Sequence, residues 1–144
     1  MKLTETNKKT LMITLHQKIE EYADVTSDLV LNGEIAENLT YPPNNGLTQS
    51  ELKELEKLKN NKILKSALRK VFADNSAGVL FELMNLIDQT TDPDEDLGEW
   101  AGLSLIDFDE EIEENDEMLH DTFSESYWDW KEKRQNNDWQ LDRN

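Results

Sequence analysis

Residues 76–89 read Ser-Ala-Gly-Val-Leu-Phe-Glu-Leu-Met-Asn-Leu-Ile-Asp-Gln, and this stretch decides the fold. Val79, Leu80, Phe81, Leu83, Met84, Leu86 and Ile87 crowd into it, with only Glu82 and Asp88 charged. A helix apolar on nearly all sides belongs at the centre of a helical core, so Ser76–Gln89 is expected to be the least exposed part of the chain. The turn residues Thr90-Thr91-Asp92-Pro93 end it.

Working back towards the N-terminus, the pairs Ile63/Leu64, Ala67/Leu68 and Val71/Phe72 recur every four residues from Lys62 to about Ala73. Lys62, Lys65 and Arg69 fall on the other face of that helix. Before it, Thr48 with Glu51 three residues on forms a capping box, and Leu47 and Leu52 stand where a hydrophobic staple would close. The helix so started runs through Leu52, Leu55 and Leu58 to Asn60-Asn61. Tyr41-Pro42-Pro43-Asn44-Asn45-Gly46 is too rich in breakers for a regular element. The first helix spans about Thr6 to Leu31, with Leu11, Leu15, Ile19, Tyr22, Leu29 and Val30 at three- and four-residue steps and Asn32-Gly33 as its stop.

Working forward, Leu103, Leu105 and Phe108 suit one side of a short strand, although a lone strand has no partner. A last helix is expected from about Asp107 or Asp109 to Arg134. On it Ile112, Leu119, Phe123, Tyr127 and Trp130 lie within roughly 80° of one another at 100° per residue. The expectation is a mainly α, single-domain bundle of about five helices, with a short strand around Leu103–Phe108 as the one β element.

The 144 residues suffice for one core, and they carry a net charge of -17 and no cysteine. Disulfides, thiolate nucleophiles and Cys-ligated metals are therefore excluded. No apolar run reaches the roughly 18 to 20 residues of a membrane span, which points to a cytoplasmic protein with no membrane partner. The charge is divided sharply. Residues 1–72 hold 11 basic and 10 acidic side chains, whereas residues 73–144 hold 4 and 22. From Val71 to Trp130 there are 19 carboxylates and not one Lys or Arg. All four tryptophans, Trp100, Trp128, Trp130 and Trp139, lie in the acidic half. Such charge disfavours direct contact with nucleic acid and favours a basic partner protein.

Two segments resemble metal sites, and nucleophile and phosphate motifs are absent. Asp92-Pro-Asp94-Glu-Asp96-Leu-Gly98 resembles a calcium loop, but its glycine falls one place late and Leu103 stands where the bidentate glutamate belongs. Glu117-Met-Leu-His120 has the spacing of two metal ligands on one helix face, yet di-iron bundles need two such motifs and this chain has one. No Gly-x-Ser-x-Gly elbow or glycine-rich phosphate loop occurs. The reading is of no enzyme, no cofactor and no metal, with a metal-dependent enzyme using Glu117 and His120 as the rival.

The last helix carries the better clue. Glu110, Glu114, Glu117, Asp121 and Glu125 lie opposite its apolar stripe, several of them three or four residues apart, where like charges repel. Trp128 projects into the same acidic face, either as an aromatic anchor for a cationic partner or as a residue covered by a tail bearing Trp139. Lys62, Lys65, Arg69 and Lys70 are too few to neutralise this half internally. In composition alone the chain resembles bacterial immunity proteins and nucleic-acid mimics, and no functional residue carries over from that likeness. The expectation is an immunity or antitoxin-type protein whose six residues Glu110, Glu114, Glu117, Asp121, Glu125 and Trp128 cover a basic site on a partner such as a nuclease toxin. A nucleic-acid mimic and a plain interaction module are the alternatives.

Overall fold

A computed structural model of the chain describes residues 3–43 and 46–108, together with Glu125, Trp128, Asp129 and Glu132. Four α-helices lie among the described residues: α1 (Glu5–Asn32), α2 (Ile35–Asn38), α3 (Gln49–Glu56) and α4 (Lys62–Ile87). A single 3-10 turn, Glu95–Leu97, follows. The mainly α class is as the sequence predicts.

The described residues divide into two compact units. The first combines 3–28 with 61–108, and its frame is the helix pair α1 and α4. Thr4 starts α1: its hydroxyl accepts from Asn7 N at 3.3 Å, the arrangement of an N-cap. Asn61 does the same for α4, accepting from Leu64 N at 3.0 Å. Lys65 Nζ lies 2.6 Å from Asp28, and Arg69 lies 3.4 Å from Asp24. As α1 advances from Asp24 to Asp28, its partners on α4 step back from Arg69 to Lys65, so the two helices run antiparallel. These partly exposed pairs fix the register more than they add stability.

Two expectations are corrected here. The helices read as 62–73 and 76–89 are one 26-residue helix, α4. Asp74-Asn75-Ser76 are modest helix formers but not breakers, and no proline interrupts them. The second correction concerns burial. No residue of α4 is buried, and Val79 and Phe81 keep 66% and 65% of their surface exposed. Among the described residues α4 packs chiefly against α1, so the run 76–89, apolar on nearly all sides, is only partly covered. The four-residue repeat shows the same division. Leu64, Leu68 and Phe72 are half-buried, whereas Ile63, Ala67 and Val71 are exposed. In this unit the buried residues are instead on α1, at Ala23 and Ser27, whose hydroxyl donates to Asp24 O at 2.8 Å.

Residues 97–108 form no strand among the described residues, only a single bridge position at Ile106. The segment is tied down by a side chain. Asp107 accepts from Thr4 N at 3.2 Å and from Asn7 Nδ2 at 2.9 Å, at the positive end of α1.

Gly78 sits inside α4 with open space where a side chain would begin. Gly78→Ala should therefore stabilise the protein by about 0.5–1 kcal/mol, through lower chain entropy in the unfolded state. Thermal unfolding should show a rise in Tm of roughly 2–4 °C.

The second unit contains 29–60 and the four described residues beyond 124. Val30, Leu31, Ile35 and Pro42 are buried in it. Gly33 ends α1 at φ 76°, and the end of the Lys59 side chain occupies the place where a Cβ would stand. The capping box of α3 is present: Glu51 N donates to Thr48 Oγ1 at 3.3 Å, and Thr48 N donates to Glu51 at 2.6 Å. These bonds, the Thr48 backbone N–H first, hold the Glu51 carboxyl below its ordinary range. The turn after α3 returns to the end of α1 through Asn60 N donating to Leu31 O at 3.2 Å. The sequence reading had no helix at Ile35–Asn38, where a single turn follows Gly33.

Candidate functional site

Of the six proposed contact residues, Glu110, Glu114, Glu117 and Asp121 lie outside the described residues. Glu125 and Trp128 are described, and both are helical and exposed. Trp128 keeps 42% of its surface accessible, large for a tryptophan. Asp129 and Glu132 are likewise helical and exposed. Spacings of three, four and seven residues put Glu125, Trp128, Asp129 and Glu132 on one side of a helix. The sequence reading did not name Asp129 and Glu132. The signal for Glu132 was available: it falls at about 220° from Leu119 at 100° per residue, among the carboxylates already chosen, whereas Asp129 falls at about 280°, outside them.

The pairing of charge elsewhere gives this face its context. Every ion pair among the described residues joins partners between Glu5 and Arg69. Lys8–Glu5, Lys18–Glu21, Lys57–Glu54 and Lys59–Glu56 are local pairs three residues apart. Lys65 and Arg69, two of the four cations available to neutralise the acidic half, are engaged with Asp24 and Asp28 of α1 instead. The hydrogen bond to Asp28 raises the Lys65 pKa above its ordinary value. None of the carboxylates from Asp74 to Asp107 pairs with a cation among the described residues. Asp92, Asp94, Glu95, Asp96 and Glu99 are all exposed around the 3-10 turn. Acidic charge on this surface meets solvent rather than counter-charge.

Among the described residues no group of three His, Asp or Glu side chains is placed to hold a metal ion. Glu117 and His120, the residues of the rival metal reading, lie outside the described residues. His16 is exposed on α1 and lines a groove of about 460 Å³ between α1 and α4, together with Asp74 and Glu82. A separate pocket of about 560 Å³ on the same helix pair combines Glu20, Glu21 and Asp24 with Arg69 and Lys70. No helix among the described residues is long and apolar enough to cross a membrane. Comparison with protein-family models, with curated proteins and with solved structures finds no match to this chain.

Asp107 is functional in a structural sense. The Asn7 side-chain amide and the Thr4 backbone N–H both favour its ionised form and hold its carboxyl below the ordinary aspartate range. A lowered folded-state pKa contributes stability above the unfolded-state value, and that contribution is lost as pH falls through the folded value. Acidification below the ordinary aspartate range should therefore release residues 97–108 from α1. An NMR titration should show the Thr4 amide and Asn7 side-chain resonances moving together at that low pH, and Asp107→Ala should remove the transition.

Proposed function

We propose that this protein is an acidic binding protein of the immunity or antitoxin type, covering a basic site on a partner such as a nuclease toxin in a bacterial cytosol. One observation carries the reading: 19 carboxylates and no Lys or Arg between Val71 and Trp130. The ion pairs among the described residues support it: all join partners between Glu5 and Arg69, and Lys65 and Arg69 are engaged with Asp24 and Asp28 rather than with the acidic half. A site that binds nucleic acid must present Lys and Arg donors to phosphates. Carboxylates on Glu110, Glu114, Glu117, Asp121 and Glu125 accept from the same donors, so they compete directly for the site. Trp128 supplies apolar contact area among those charges, where carboxylates alone would give attraction without a seat.

Replacing Glu125 by a photoreactive amino acid and crosslinking in extracts of the native cell tests the reading. The expected crosslinked partner is a basic protein, captured less efficiently as salt is raised, whose nucleic-acid substrate competes with this chain. Capture of an acidic or neutral partner, or crosslinking indifferent to salt, would contradict it. A partner that binds nucleic acid without cleaving it would favour the nucleic-acid mimic over the toxin inhibitor.

A further inference from the structure

The groove between α1 and α4 is left without a role by the acidic face. Its floor and walls are apolar: Met12, Leu15 and Ile19 come from α1, and Leu80, Phe81 and Met84 from α4. Phe81 remains 65% exposed within it. Its charged lining residues are Asp74 and Glu82, with neither Lys nor Arg among the residues that form it. Glu82 accepts a long hydrogen bond from Asn85 at 3.4 Å, and Asp74 has no ion-pair partner among the described residues. Along α4 the lining runs from Asp74 to Met84, about 15 Å at 1.5 Å per residue, or nearly three helical turns.

We infer that this groove receives an amphipathic helix of a partner protein, with the apolar face of that helix seated between α1 and α4 and Lys or Arg on its flanks. Helix in groove is the recognition mode that the geometry fits, because two antiparallel helices offer a third helix a continuous furrow. Charge complementarity selects the occupant. Asp74 and Glu82 attract a cationic flank and repel an acidic one. The same repulsion disfavours a second copy of this chain, which brings a net charge of -17 to the contact. This surface is separate in sequence from the residues proposed to cover a basic site.

Two synthetic peptides of about fourteen residues, one of Leu and Lys at helical spacing and one with Glu in place of Lys, serve as probes for the full chain. Fluorescence anisotropy at about 0.15 M salt should show one Leu/Lys peptide bound per chain, about tenfold more tightly than the Leu/Glu peptide. Gly78→Trp fills the groove without changing the charge and should weaken binding about tenfold, the loss of one well-packed contact. Asp74→Asn with Glu82→Gln should weaken it similarly, and this pair carries the test if circular dichroism shows that Gly78→Trp does not fold. Glu117→Lys with Asp121→Lys should leave peptide binding intact, which separates this site from the acidic face. Binding unchanged by either groove variant, equal binding of the Leu/Glu peptide, or loss of binding only with the Glu117 and Asp121 variant would overturn the inference. So would a dimer in sedimentation that Gly78→Trp dissociates, because a second copy would then be the occupant.

Discussion

Replacing Glu117 and Asp121 together by lysine should slow association with the basic partner about tenfold at low salt, with a smaller change in dissociation. The rate is affected because long-range attraction orients and concentrates the partner before contact. Both residues belong to a run in which no Lys or Arg intervenes between Val71 and Trp130, so no cation stands near them in the sequence. The same variant should leave the free protein slightly more stable, by relieving repulsion between like charges three and four residues apart. Stopped-flow association and thermal unfolding of the one variant measure both effects. Slower association without loss of stability separates a binding role from a folding defect.

Trp128→Ala should act on the other rate. An exposed indole among carboxylates contributes after encounter, when its face and edge fill a pocket and exclude water. Dissociation should accelerate about thirtyfold, corresponding to about 2 kcal/mol, while association changes by less than about threefold. Surface plasmon resonance resolves the two rates. Trp128→Phe keeps most of the apolar area and should recover much of the lost residence time. Glu125, Asp129 and Glu132, exposed on the same helical side, are the first carboxylates to reverse if the contact extends towards the C-terminus.

Local signals were legible in the sequence because local physics determines them. The α1 stop at Gly33 and the Thr48–Glu51 capping box depend on residues within a few positions of one another. The run at 76–89 misled because apolar content reports the capacity for burial and not the presence of a neighbour. In the first unit α4 meets α1 along one side, and Val79 and Phe81 keep about two thirds of their surface exposed. The joining of 62–73 to 76–89 was missed for a related reason: Asp74-Asn75-Ser76 lower helix propensity without breaking the helix. The Asp107 tie to Thr4 and Asn7 has no sequence signature, because it spans about a hundred residues and uses one carboxylate among many. By contrast, Asp24 and Asp28 on one helix and Lys65 and Arg69 on another are each four apart, a spacing that could have predicted the antiparallel pairing. The acidic face was chosen from spacing and charge alone. Of its six residues, the structure describes Glu125 and Trp128 and places both at the surface.

The central claim is that the carboxylates of the second half act on a basic partner and do more than keep the chain soluble. The salt dependence of association tests it most directly. Between about 50 mM and about 500 mM salt the Debye length falls from roughly 14 Å to roughly 4 Å, so attraction beyond direct contact is removed. The association rate of the unmodified chain with its partner should fall at least tenfold across that range, with little change in the dissociation rate. An association rate that stays constant across the same range would contradict the claim and leave the acidic half as a solubilising surface.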